Sequence, residues 1–370
     1  MAKHVRALSA TITNNIQSSG NTIAEAGQEA ITRSTNAVQR ILHYDQLPEW
    51  MKIDTYIRRG YRPQQDSFRD CFWSLFYLHN ESVNIWSHLL PACFYLVSLL
   101  GLDFWTFHSG IKVPTADSAI FQMYIACIVG CLLLSATYHC TNSHSEQISR
   151  KTLKLDYFGI LLSIIGTNVS ATYFGLYGNF LLQGSYIIFI LICSAFVFNA
   201  LLRDDIDGPG AAIRRTKMFV ALASTGLIPP AYIWIQGMDQ GLQGYACMHD
   251  VITILLYFLA LFFYLTHIPE RWWSHTFDIC GASHQIFHIL IGASQLVFLF
   301  GLQEVMQRHC LRVGGPVAPQ VSDETSLSLW IEPSVALRIG SLPPYSKENN
   351  NNKNLYTQKT ASIKYLKAGD

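Results

Sequence analysis

The stretch SHQIFHILIGASQLVFLFGLQ, residues 283–303, carries no charged side chain over a length that spans a hydrocarbon core. It also opens with two histidines, His284 and His288, four residues apart on one helical face. Taken as a buried soluble helix, the run is too long and too apolar. Taken as a transmembrane span, it needs a reason to hold two imidazoles, whose ring nitrogens find no partner in lipid.

The rest of the chain favours the membrane. Of 370 residues, 50% are hydrophobic and 14% charged, against about a quarter charged in soluble domains. Six more apolar stretches precede the first, at about 86–107, 118–140, 155–177, 180–201, 218–236 and 251–267. Pro229 and Pro230 fall inside the fifth, where neighbouring helices can satisfy a freed backbone. The expectation is an all-α membrane protein, a seven-transmembrane helix bundle.

Loop charges set its orientation. Arg150, Lys151, Lys154, Arg203, Arg214, Arg215, Lys217 and Arg271 occupy one set of alternate loops, and Lys112 stands alone in the other. The positive-inside rule then places the N-terminus in the cytoplasm and the C-terminus outside. The basic residues before the first span agree with a cytoplasmic flank, which removes the case for nucleic acid. The domain reading is a disordered cytoplasmic N-terminus over 1–40, a cytoplasmic helical or interfacial segment over 41–85, the seven-helix domain over 86–306 and a disordered outer tail over 307–370. No cleavable signal peptide is visible in the polar first 40 residues. The sequons at Asn80 and Asn168 fall in the cytoplasm and inside a span, so neither is expected to carry sugar.

With that orientation, the costly polar residues share one depth. His139 ends the second span, Asp156 opens the third, His284 and His288 open the seventh, and Glu81, Asn84 and His88 bracket the start of the first. Three histidines at one level, two of them at i and i+4, suit a metal ion. Three protein ligands plus water is the open arrangement of catalytic zinc. Ser135, one turn before His139, is placed to position that water, and Asp156 to take its proton. The plainer alternative for each histidine is an interhelical hydrogen bond. Glu81, Asn84 and His88 read most simply as a polar lock of the first helix. Cys140 and Cys280 read as packing residues at span edges, and Cys247 with Cys310 as an outer-face pair without geometric support.

At these residues the chain resembles the progestin and adipoQ receptor family, with its adiponectin receptors, fungal relatives and haemolysin III-type proteins. The matching stretches are LPEWMKIDTYIRRGYRP (47–63), SFRDCFWSLFYLHNESVNIWSH (67–88), SATYHC (135–140), KLDYFGI (154–160) and IPERWWSHTFDICGASHQIFH (268–288). The resemblance implies Zn2+ held by His139, His284 and His288, with Asp156 and Ser135 beside its water. It implies a receptor with ceramidase-like lipid amide hydrolase activity, linked to lipid and zinc homeostasis. WWSHTF stands where relatives commonly have a Pro-Gly turn, and the chain after Cys310 matches none of them. The expected partners are a ceramide-like membrane lipid, an extracellular protein ligand and a second copy of the chain, in the plasma membrane or endoplasmic reticulum. The rival reading is a non-enzymatic receptor or sensor in which zinc is structural. Zinc transport fits less well, because a carrier needs ligands near the midplane.

Overall fold

The computed structural model describes residues 41–100, 113–203, 210–235 and 240–314, with five isolated positions before residue 41. The expectations for 1–40, for the tail beyond Gly314 and for the outer end of the first span therefore lie outside the described residues. So do the side chains of Cys247 and Cys310.

The described chain is helical, without a strand. A short α1 (Phe68–Trp73) precedes α2 (Ser82–Leu100), α3 (Thr115–Thr141), α4 (Glu146–Gly175), α5 (Phe180–Leu202), α6 (Ala211–Ser224), α7 (Ile228–Ile235), α8 (Gln240–Thr266) and α9 (Ser283–Gly314). Among the described residues six helices are long and apolar enough to cross a bilayer: Ser82–Leu99, Thr115–Thr141, Glu146–Gly175, Phe180–Leu202, Met248–Thr266 and Ser283–Met306.

The stretch read as the fifth span is not among the six. It is a 14-residue helix, a three-residue 3-10 turn at Thr225–Leu227 and an 8-residue helix. Two reasons meet at the break. Pro229 and Pro230 withdraw two N–H donors from the ladder. Asn168 of α4 then reaches in, its Nδ2 donating to the Leu222 carbonyl at 3.0 Å and to Thr225 Oγ1 at 3.0 Å. The asparagine of the second sequon is thus a buried tie between helices. At the other end of the chain, α9 runs past residue 306 to Gly314.

Apolar side chains cover the outer face of α5 as well as filling the core. On α5 the buried residues are Gln183, Ile190, Ser194 and Leu201, while Leu181, Phe196 and Ile188 are exposed. The core joins α2, α3, α4 and α9 through Tyr95, Tyr124, Ile128, Leu132, Phe174, Phe298 and Leu299. Tyr124 is fully buried and donates its hydroxyl to the Gln295 carbonyl at 2.8 Å. Gly159 lets α4 approach α3 closely: a Cβ there would lie 3.1 Å from both Cα and O of Cys131.

The segment before α1 folds back over the end of the bundle where α3 finishes and α9 begins. Leu47, Met51, Ile57 and Tyr61 pack with Ala282. A single antiparallel bridge joins Leu42 to Tyr61. Asp278 anchors the lobe by accepting from Arg58 N at 2.9 Å and Arg59 Nε at 3.1 Å. Gly60 sits at φ +88°, a conformation that penalises any side chain, and a Cβ there would run into Ile279. Gly60→Ala is expected to destabilise the protein by about 1–3 kcal/mol, read as a lower melting temperature in detergent.

Candidate metal centre

His139 belongs to the last turn of α3, and His284 and His288 to the first two turns of α9. The structure brings the three together: one potential ligand atom from each lies within 4.8 Å of the others. Ring centroids are 5.2 Å apart for His139–His284 and 4.8 Å for both His139–His288 and His284–His288. His139 and His288 are buried, and His284 is partly so.

Hydrogen bonds fix which nitrogen His139 and His288 offer. His139 Nδ1 contacts Glu81 Oε2 at 2.8 Å, and its Nε2 is buried without a partner. His288 Nδ1 contacts the Asn84 carbonyl at 3.2 Å. In each case Nδ1 carries the proton toward an oxygen, which leaves the Nε2 lone pair for a metal. A buried lone pair with no donor is costly unless something else satisfies it, and outer-sphere oxygens of this kind orient ligating histidines in metal sites. The donor set fits a metal ion on those grounds.

Glu81 is more than a lock for α2. Its Oε2 accepts from Asn84 Nδ2 at 2.6 Å as well as from His139, and its Oε1 accepts from Asn142 Nδ2 at 2.9 Å. Arg62 completes the frame from the N-terminal lobe. Its guanidinium, almost fully buried, donates to the carbonyls of His139 (2.6 Å) and Cys140 (2.8 Å), to Asn142 Oδ1 (2.7 Å) and to Ser74 Oγ (2.7 Å). It caps the C-terminus of the helix that carries His139, where free carbonyls and the helix dipole favour a cation. Sequence reading placed Arg62 only among the basic flanking residues. Nothing local distinguishes it, since all its partners but Ser74 are about 80 residues further along the chain.

Asp156, on α4, faces Ser135, one turn before His139 on α3, close enough for its carboxyl to interact with the hydroxyl. Both line a cavity of about 1040 Å³ together with the three histidines. Ile160, Ile164, Phe219, Phe258 and Leu261 give the same cavity apolar walls. Cys140 and Cys280 are free thiols outside the cluster.

Asp54 and His267 stand on the cavity wall outside the spans. His267 Nδ1 lies 3.5 Å from Asp54 Oδ2, and the ring packs on Tyr56. Glu270, whose carboxylate is near enough to join them around an ion, instead caps α9 by accepting from the Ser283 N–H at 2.7 Å and from its hydroxyl. The Asp54 contact raises the His267 pKa, against a smaller opposing effect of burial. Burial pushes Asp54 up, but the His267 ring and the Tyr56 N–H together hold it below the ordinary carboxylate range. The raised histidine stabilises most below its ordinary value of 6.5, and that share is lost as pH rises through the folded value. The lowered aspartate stabilises above its ordinary 3.8, and that share is lost as pH falls. Between those values the pair is at its strongest. Because both groups are partly exposed, the gain is at most roughly 1 kcal/mol. The melting temperature of the wild type should exceed that of His267→Gln near pH 5–6 by more than it does at pH 8, allowing for solvent screening.

A family model described as haemolysin-III related matches residues 76–299. The chain is 31% identical to the adiponectin receptor protein of Drosophila melanogaster over 288 residues, covering 76% of this chain and 63% of that one. It is 31% identical to the ADIPOR-like receptor IZH2 of Saccharomyces cerevisiae over 290 residues, covering 77% and 90%. It is 33% identical to human progestin and adipoQ receptor family member 3 over 256 residues, covering 68% and 81%. The chain thus spans less than two thirds of the Drosophila relative's length.

Proposed function

The chain belongs to the haemolysin-III-related family of progestin and adipoQ receptor-like membrane proteins, and from that premise we propose that it is a zinc-dependent amidase acting on a ceramide-like membrane lipid. The observation that carries the reading is the set of three histidines, with the Nε2 of His139 buried and unpaired, opening on a cavity that also holds Asp156 and Ser135. Zinc, when bound there, supplies a Lewis acid for the amide carbonyl and a water whose pKa falls to about 7.

The protein's own groups do the rest. Asp156 takes the proton from the attacking water and returns it to the amide nitrogen as the C–N bond breaks, releasing a fatty acid and a sphingoid amine. Ser135, beside Asp156, is placed to orient that carboxylate. The apolar walls take hydrocarbon and keep bulk water from the centre. In the membrane, α6 and α7 together form the remaining crossing, giving seven spans with the N-terminal lobe and the metal centre on the cytoplasmic side of the plasma membrane or endoplasmic reticulum. An extracellular protein ligand and a second copy of the chain remain the proposed protein partners.

The test is ceramide turnover by the purified, zinc-loaded protein. Fatty acid release should fall at least about a hundredfold in Asp156→Asn while the metal content stays at the wild-type level. Turnover unchanged in that variant removes Asp156 from the chemistry, whereas no release by the zinc-loaded wild type above a His139→Ala control sinks the amidase. It then favours a receptor in which the ion only ties α3 to α9, a reading supported by the way His139 and the α9 pair face each other across two helices.

A further inference from the structure

His88 is the histidine of this centre that the metal triad leaves unused. It projects from α2, is 3% exposed, lines the same cavity, and has both ring nitrogens buried without a hydrogen-bond partner. The His288 backbone lies nearby but outside bonding geometry. Buried imidazoles are almost always satisfied at one nitrogen or both, so an orphan at this place points to a group that is present only when the site is loaded.

Its geometry restricts what that group is. The His88 ring stacks on His288 with centroids 3.8 Å apart and planes 7° from parallel. A metal held by His288 lies close to the plane of the His288 ring, one face-to-face spacing from the plane of His88. A zinc–nitrogen bond of about 2.0–2.1 Å does not bridge that gap. An oxygen bound to the metal on the His88 side does come within hydrogen-bond reach, about 2.7–3.2 Å. His88 is accordingly absent from the group of nitrogens close enough to share an ion.

We propose that His88 donates a hydrogen bond to the oxygen at the metal's open position, that of a water or of the carbonyl of a lipid amide. The inference rests on the metal-centre reading above and deepens it. In the loaded protein His88 touches the reacting oxygen, and its ring fills the space over His288 that a second water would otherwise occupy.

The experiment uses the full-length protein loaded with cobalt and titrated with acetohydroxamate, an oxygen ligand for the metal, followed by the visible absorption of the ion. Three variants are compared with the wild type. His88→Phe keeps the stacked ring and removes both nitrogens, His88→Leu repeats the comparison if the phenylalanine protein does not fold, and His88→Gln restores an N–H donor. Metal content should be equal in all of them. Hydroxamate should bind about tenfold or more weakly to the apolar variants and recover in His88→Gln. Equal hydroxamate affinity in the wild type and the apolar variants overturns the proposal. So does loss of metal from all the variants, which would make His88 a ligand. A wild type that binds metal and hydroxamate as expected but leaves ceramide intact overturns the amidase alone, and one that takes up no metal overturns both.

Discussion

On the proposed metal reading, His139→Ala should purify without bound metal, and Glu81→Ala, in which all three rings survive, should hold it about ten- to a hundredfold more weakly than the wild type. The first result follows from the donor count, since two histidines of α9 cannot close a three-ligand site. The second follows from the contact between Glu81 Oε2 and His139 Nδ1 at 2.8 Å. That carboxylate holds the proton on Nδ1, keeps Nε2 free and adds negative charge behind the ligand. Without it, the ring can rotate and take the other tautomer. Glu81→Gln keeps an acceptor but not the charge and should fall between the two. Metal analysis of the purified variants, with competition against a chromophoric chelator, measures all three. An unchanged affinity in Glu81→Ala would falsify the assignment of Glu81 as the group that orients His139.

Arg62→Ala should be the most destabilising single change in the N-terminal lobe, by about 3 kcal/mol or more. Four acceptors lose their donor at once: the His139 and Cys140 carbonyls, Asn142 Oδ1 and Ser74 Oγ. Two of them are the free carbonyls that end α3, and Asn142 is also the residue that holds Glu81 Oε1. The loss therefore reaches the metal centre through Glu81 as well as the lobe. Arg62→Lys keeps the charge but not the fork of donors, and recovers only part of the loss. Thermal unfolding in detergent, with metal content measured on the same samples, checks both effects. A melting temperature within a degree or two of wild type would mean that water replaces the guanidinium at the end of α3.

The transmembrane helices were legible because each is a long apolar run that lipid requires to be helical. The convergence of His139, Asp156, His284 and His288 was also legible, because successive apolar runs cross in opposite directions, which sets the end of the second level with the starts of the third and the seventh. The break in the fifth stretch was only half legible. Pro229 and Pro230 announce a disturbance, but the turn at Thr225–Leu227 is fixed by Asn168 from another helix. Glu81 shows the same limit. Its charge is visible at the mouth of the first span, but its role depends on a histidine 58 residues away.

The sequence by itself determined that this is a multi-pass helical membrane protein and which end of the bundle gathers the histidines. Those properties depend on local hydropathy and on charge counted along the chain. Only the tertiary structure decided which nitrogen His139 and His288 offer, that Glu81 and Arg62 hold His139 in place, and that His88 faces the cavity without a partner. Each depends on distances between residues far apart in sequence, and a linear pattern does not carry them.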